Sequence, residues 1–87
     1  MTYRLAITET ARKDLRRLTD DSIVRRINPK LDALCENPRP HGAKKLEADV
    51  GWSVRVGDYR IVYEIDDKQK IVTIVRVRSR QSAYDRS

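Results

Sequence analysis

The apolar positions at the start of the chain follow first the period of a strand and then that of a helix. Over residues 2–7 every second side chain is large and apolar, with Tyr3, Leu5 and Ile7 in those positions, which predicts a half-buried β-strand. Thr8 can then cap a helix whose apolar positions lie at i, i+4 and i+7. These helical positions are Ala11, Leu15 and Leu18.

A second helical period follows the acids and hydroxyl of residues 20–22. Its apolar positions are Ile23, Ile27, Leu31, Leu34 and Cys35. Pro29 falls within this pattern and removes one backbone donor, so we expect a kink or a short break there. Two prolines in residues 37–40 then end the helix.

The second half of the chain alternates as strands joined by tight turns. Gly57 and Asp58 separate residues 52–56 from residues 59–65, which is the signal of a two-residue hairpin loop. Such a loop places Arg55 opposite Arg60 on one face. The other face, which packs on the helices, carries Trp52, Val54, Ile61 and Tyr63.

These elements define the fold class. We predict one small α+β domain over residues 1–87, in which a two-helix hairpin packs on a mainly antiparallel four-stranded sheet. The order is β-α-α-β-β-β, with an N-terminal strand before the helices and three strands after them.

Three arginines at alternate positions close the last strand, which covers residues 71–80. Arg76, Arg78 and Arg80 share one face as long as the strand persists. Crowded guanidiniums repel each other, and an anion such as a phosphodiester backbone offsets that repulsion. This strand therefore suggests a phosphate-binding surface.

The loop near residues 66–69 decides which face these arginines occupy. An odd number of loop residues brings them to the face of Arg55 and Arg60, and an even number puts them on the opposite face. We expect convergence, at least for Arg80, because the alternative buries arginines beneath the helices. A bulge or a strand end near Ser79 would also redirect Arg80.

The charge balance favours an anionic partner. The 87 residues include 19 Lys and Arg against 13 Asp and Glu, a net charge of +6. Such a surplus favours nucleic acid or an acidic protein as the partner. The first helix carries four cations that we interpret as a solvated face, with a contact to RNA or to an antagonist as the alternative: Arg12, Lys13, Arg16 and Arg17.

Other features exclude several classes of protein. The chain has no signal-peptide pattern at its start and no apolar run near the roughly 18 residues of a membrane span, so we expect a soluble, cytoplasmic protein. Cys35 is the only cysteine and His41 the only histidine. An internal disulfide is therefore excluded, and we expect neither a zinc site nor any other cofactor.

Phosphodiester cleavage by a ribose 2′-hydroxyl needs a base, cations near the phosphate and an acid for the leaving oxygen. The chain lacks the His pair or the His/Glu pair of a free-standing ribonuclease. It offers Tyr84 near Arg80, whose charge can lower the pKa of a phenol, and Lys44 and Lys45 ahead of the sheet. Any nuclease activity of the protein alone is therefore expected to be weak, unless another macromolecule positions the substrate.

Three segments resemble the RelE branch of the RelE/ParE toxin superfamily. They are KKLEA (44–48), WSVRVGDYRIVYEID (52–66) and VRVRSRQSAY (75–84). The resemblance extends over nearly the whole chain, and VGDYRIVYEID is its most specific part. It implies a metal-independent endoribonuclease toxin that cuts mRNA in the ribosomal A site by 2′-hydroxyl attack and so inhibits translation. It also implies a RelB-like antitoxin that wraps the toxin with a helical segment in a hetero-oligomer.

The same resemblance assigns roles by position. It implies that Arg60 contacts the scissile phosphate, that Arg80 stabilises the transition state and that Tyr84 stacks on a base or transfers a proton. Ser53 and Arg55 stand where some members have lysines, and residues 78–80 stand where many have Gly-His-Arg. The residues expected to bind RNA phosphate are Arg55, Lys44, Lys45 and Arg78.

Two other functions remain open from the sequence. One is a ParE-like toxin that inhibits DNA gyrase without cutting RNA, and the other is an RNA-binding module without catalysis. Purely structural roles also remain open for the named residues. Arg60 could pair with Glu64, Arg76 with an acid of the first helix, and Tyr84 could pack on the sheet.

Overall fold

The computed structural model of the protein describes residues 2–46 and 51–79. Its elements are β1 (Arg4–Ile7), α1 (Glu9–Arg16), α2 (Asp21–Glu36), β2 (Lys44–Lys45), β3 (Trp52–Val56), β4 (Tyr59–Asp66) and β5 (Ile71–Ser79). The strands form one sheet in the order β1-β5-β4-β3-β2, with β1 parallel to β5 and the other neighbours antiparallel. The predicted α+β class is confirmed, and the short strand β2 makes the sheet five-stranded rather than four-stranded.

Both helices begin where the sequence predicts. The Ala11 N–H donates to the Thr8 hydroxyl at 3.1 Å, and the Ser22 N–H donates to the Asp20 carboxylate at 3.0 Å. Each cap satisfies a backbone donor that the first helical turn leaves without a partner. Helix α2 runs without interruption through Pro29, so the short break that we allowed for is not present. Pro29 lies on the exposed side of α2, where water can satisfy the carbonyl that loses its N–H.

The hydrophobic core lies between one face of the sheet and the two helices. Its fully buried side chains include Tyr63, Ile27, Leu34, Ile61, Ile74, Val72 and Cys35. Burial raises the pKa of the Cys35 thiol, in keeping with the predicted packing role. Leu5 is 36% exposed, which differs from the predicted half-buried position, because β1 lies at the edge of the sheet that the described residues form.

The β3–β4 hairpin confirms the predicted two-residue loop. Val56 pairs with Tyr59, and Arg55 pairs with Arg60. Gly57 has a φ of 60°, a left-handed conformation that glycine adopts without steric cost. The hairpin therefore sets the two arginines directly across from each other.

The β4–β5 connection brings the arginines of β5 to the same face by an unexpected route. Asp66 pairs with Ile71, so four residues separate the strands, an even number. A regular ladder would then turn Arg76 and Arg78 toward the helices. The register shifts between Tyr63, which pairs with Ile74, and Val62, which pairs with Arg76, and this leaves Val75 as an extra residue. The predicted convergence thus holds for Arg78, but it depends on a β-bulge at Val75 rather than on an odd loop or on a bulge near Ser79.

A polar cluster at the β4–β5 turn joins three segments of the chain. The Tyr3 hydroxyl donates to Asp67 at 2.6 Å, and Arg39 donates to both oxygens of the same carboxylate at 3.3 and 2.8 Å. Arg39 also lies 5.5 Å from the ring centre of Trp52. Hydrogen bonds from Arg39 and then Tyr3 lower the pKa of Asp67 from 3.8 to about 2. The cluster ties the start of the chain and the segment after α2 to the β4–β5 turn.

This cluster predicts a pH dependence of stability. Because the pKa of Asp67 is lower in the folded state, its stabilising effect is present above the unfolded pKa near 4 and disappears as the pH falls toward about 2. We expect Asp67→Asn to melt at a lower temperature than the wild type at pH 6, with a difference that shrinks toward pH 2. The effect is modest since the Asp67 side chain is 55% exposed. Thermal melts at several pH values measure it, and a constant difference across that range would contradict the assignment.

Candidate functional site

Three arginines lie side by side across neighbouring strands. Arg60 of β4 pairs with Arg55 of β3 on one side and with Arg78 of β5 on the other. We call Arg55, Arg60 and Arg78 the arginine row. All three are exposed, whereas the residues that precede or follow them in the strands, such as Ile61 and Val77, are buried in the core. The row therefore occupies the face of the sheet that the helices do not cover.

The row concentrates positive charge, and no acidic side chain of the described residues pairs with it. Side chains directly opposite on an antiparallel sheet have Cβ atoms only about 4.5–5.5 Å apart, so like charges there repel. Within residues 2–46 and 51–79, none of the hydrogen bonds and ion pairs engages a guanidinium of the row. The alternative pairing of Arg60 with Glu64 is thus not seen among the described residues. A bound polyanion would relieve this repulsion, and phosphate suits guanidinium groups by geometry as well as by charge.

The two lysines of β2 take different positions relative to the row. Lys44 pairs with Ser53, which lies on the same face as Arg55, whereas Lys45 pairs with Trp52 on the alternate face. The structure therefore brings Lys44 toward the arginine row and not Lys45. Ser53, the pairing partner of Lys44, is the position where some RelE-like sequences carry a lysine.

Arg76 has a structural partner on α1. Its Nε donates to Asp14 at 2.9 Å, and the backbone N–H of Val77 donates to the same carboxylate at 3.0 Å. The Asp14 side chain is only 10% exposed. This confirms the interpretation that Arg76 pairs with an acid of the first helix, and it sets Arg76 apart from the arginine row.

A groove lies between the end of α1 and the ends of β4 and β5, and Arg78 is the member of the row that lines it. It has a volume of about 380 Å³ and is lined by Asp14, Arg17, Leu18, Tyr59, Arg76, Val77, Arg78 and Ser79. Sequence reasoning did not single out Tyr59 or Asp14, and it treated Arg17 as one of four equivalent helix cations. The structure separates these cations, since Arg12 and Arg16 approach Glu9 at 4.0 and 3.7 Å while Arg17 lines the groove.

Arg80 and Tyr84, two of the three expected catalytic residues, lie outside the described residues. The strand pairing reaches Ser79, which lies opposite Tyr59. The described residues contain no group of three or more His, Cys, Asp or Glu side chains able to hold a metal ion. No helix in the described part of the chain is long and apolar enough to cross a membrane.

Fold and site together define a small basic α+β protein with a cationic face on a mixed sheet. A family model described as the ParE toxin of the type II toxin-antitoxin system parDE matches residues 5–84. The chain belongs to the RelE/ParE family of type II toxins.

Individual relatives agree with this assignment. The chain is 38% identical over 84 residues to Toxin RelE of Mycobacterium tuberculosis. The match covers 94% of this chain and 86% of the relative. Its fold is similar to that in the RelBE2 toxin-antitoxin complex of M. tuberculosis, with a TM-score of 0.79, 33% identity and coverage of 91% and 99% of the two chains. It is also similar to the archaeal RelE-RelB complex of Pyrococcus horikoshii, with a TM-score of 0.78, 28% identity and coverage of 94% and 99%.

Proposed function

We propose that this toxin is a ribosome-dependent endoribonuclease that cuts mRNA in the ribosomal A site. The observation that carries the proposal is the arginine row, in which three strands place Arg55, Arg60 and Arg78 side by side on an open surface. Three adjacent guanidiniums can hold one phosphodiester group and its neighbours. The names of the relatives, which include Toxin RelE, agree with this choice.

The proposed reaction is attack of a ribose 2′-hydroxyl on the adjacent phosphorus, which expels the 5′-oxygen of the next nucleotide. Negative charge grows on the phosphate oxygens in the transition state, and preorganised guanidiniums stabilise it more than they stabilise the substrate. Arg60, in the middle of the row, is assigned the scissile phosphate. By resemblance, Arg80 completes this stabilisation, and Tyr84 stacks on a base or transfers a proton.

Dependence on the ribosome follows from the limited chemistry of the row. Arginine is a poor general base because it hardly deprotonates. Holding the mRNA in a reactive geometry can supply much of the missing acceleration, since well-oriented reactants gain several kcal/mol. The ribosome is therefore proposed to orient the 2′-hydroxyl, while the toxin supplies charge.

The test uses purified ribosomes programmed with a defined mRNA. We expect the protein to produce a new mRNA 5′-end within the A-site codon, mapped by primer extension, and to leave the same mRNA intact without ribosomes. An mRNA that stays uncut on ribosomes at saturating protein would remove the proposal. Salt-sensitive RNA binding with no cleavage would instead indicate a non-catalytic RNA-binding module.

A second candidate is inhibition of DNA gyrase, which the match to the ParE family model favours. The two candidates make opposite predictions for the arginine row. A gyrase inhibitor that does not cut RNA should still block supercoiling after Arg60→Ala and Arg78→Ala are combined. Growth arrest with an immediate stop in protein synthesis, lost in that double variant, favours the ribosome.

An antitoxin partner and a cytoplasmic location belong to the same proposal. The structural relatives include RelE-RelB complexes, so we propose a RelB-like antitoxin that wraps this chain with a helical segment. The cytoplasm is where ribosomes and mRNA meet such a toxin. Co-purification of the chain with the product of an adjacent small reading frame would test the partner.

A further inference from the structure

The groove beside the arginine row has the size and lining of a nucleotide site. Its volume of about 380 Å³ falls within the range of roughly 300–1,000 Å³ usual for small-ligand clefts. Leu18 and Tyr59 are partly buried and Val77 is 4% exposed, so they supply an apolar and aromatic floor. Arg17 and Arg78 are exposed and stand at its rim.

The groove carries a net positive charge even after the ion pair between Arg76 and Asp14 is taken into account. Asp14 is the one acid among the lining residues, and it is already bonded by Arg76 and by the Val77 N–H. The guanidiniums of Arg17 and Arg78 make no hydrogen bond or ion pair with any other described residue. The Tyr59 hydroxyl likewise has no partner within residues 2–46 and 51–79. A positively charged rim around an aromatic ring is the combination that single-stranded RNA sites use, with a base on the ring and phosphates on the cations.

The groove is continuous with the proposed cleavage site. Arg78 belongs both to the arginine row and to the lining of the groove. Tyr59 precedes Arg60 in β4 and turns to the helix-covered face, as Ile61 does. Arg78, which lines the groove, is therefore the link between the two faces. An RNA strand whose phosphate contacts Arg60 and Arg78 reaches the groove by passing around this end of β5.

We propose that the groove holds the nucleotide next to the scissile phosphate, with its base on the Tyr59 ring and a phosphate on Arg17. This assignment rests on the proposed RNA substrate and identifies Tyr59 and Arg17 as substrate-binding residues. Stacking on an aromatic ring is tolerant of sequence, so the groove would add affinity for any base and would favour purines through their larger ring area.

The experiment uses a 2′-O-methylated RNA trinucleotide, which binds but cannot be cut because its 2′-hydroxyls are blocked. In the wild-type protein, we expect this probe to shift the NMR signals of the Tyr59 ring and the Val77 amide. Tyr59→Leu should weaken binding about tenfold, the equivalent of about 1.4 kcal/mol, whereas Tyr59→Phe should bind as the wild type does. Arg17→Gln should lower the slope of log affinity against log salt by about 0.7, the value for one phosphate contact on a single strand.

Lys13→Gln is the matched control because it removes a cation from the same helix outside the groove. It should leave the salt slope unchanged. If the probe binds through Arg60 but neither shifts Tyr59 nor senses Tyr59→Leu, the groove assignment is overturned while the cleavage proposal stands. If the probe binds neither the groove nor the row, the groove assignment is likewise overturned, and the cleavage proposal is decided by the assay on programmed ribosomes. The ring signals of the wild-type protein keep the test decisive even if Tyr59→Leu does not fold.

Discussion

Arg60→Ala is expected to slow mRNA cleavage on programmed ribosomes by on the order of 10²- to 10³-fold. Arg60 is the central member of the arginine row, with a guanidinium on each side across the sheet. Loss of one preorganised donor at a developing oxyanion typically has an effect of this size. Because the interaction strengthens in the transition state, single-turnover rates should fall far more than affinity for the ribosome. Quantified primer extension over time measures the rate.

Lys13→Ala controls for the loss of one surface charge, since Lys13 lies on the exposed side of α1. It should change neither rate nor affinity. The resemblance predicts a loss of similar order for Arg80→Ala. A variant Arg60→Ala that binds ribosomes much more weakly but cleaves at the wild-type rate once bound would contradict a transition-state role and would leave Arg60 as a docking residue.

Exchanging Val77 and Arg78 is expected to destabilise the fold by about 3–5 kcal/mol without changing composition. Val77 is 4% exposed and packs in the core, while Arg78 is exposed on the opposite face. The double variant Val77→Arg with Arg78→Val places a guanidinium beneath the helices. The nearby acid, Asp14, already accepts hydrogen bonds from Arg76 and from the backbone N–H of residue 77, so the new charge competes for a carboxylate that is in use. A buried charge without a partner of its own has a cost of this order. Urea denaturation monitored by circular dichroism measures the change, which is a large fraction of the stability of a small domain.

The single change Arg78→Val separates this folding effect from function. It removes a member of the arginine row and leaves Val77 in the core, so the protein should fold with near wild-type stability and cleave poorly. The exchange also tests the bulge at Val75. In a regular ladder without the bulge, Arg78 would face the helices and the exchange would increase stability, so a stabilised double variant would show that the register is different.

The local features of the fold could be predicted from particular residues. Thr8 and Asp20 cap helices because their side chains satisfy backbone donors within three residues, and such contacts depend on short-range geometry alone. The pairing of Arg55 with Arg60 likewise follows from a two-residue loop with glycine at its first position. The short strand β2 has two residues and no periodicity of its own, so its pairing with β3 was not predicted.

The number of residues in the β4–β5 loop was not enough to predict which face of the sheet the β5 arginines occupy. The neighbouring apolar pair Ile74 and Val75, followed by Arg76, does contain a signal of a bulge, since it breaks the alternation between Val72 and Val77. That signal has meaning only once the pairing with β4 is known. The groove was not predictable for the same reason, because Arg17 and Tyr59 come to line it together through tertiary packing of α1 on β5 rather than through spacing in the sequence.

Helix α1 also completes the hydrogen bonding of strand β5 where β1 ends. After Ile7, the Thr8 N–H donates to the Ile74 carbonyl at 3.0 Å, the Thr8 hydroxyl donates to the Val75 carbonyl at 3.1 Å, and Asp14 accepts from Val77. The helix thus occupies the backbone groups that an intruding strand would need for β-sheet extension. Among the described residues, self-association by strand addition is therefore blocked along this part of β5, whose apolar side chains Val72, Ile74 and Val77 lie in the core.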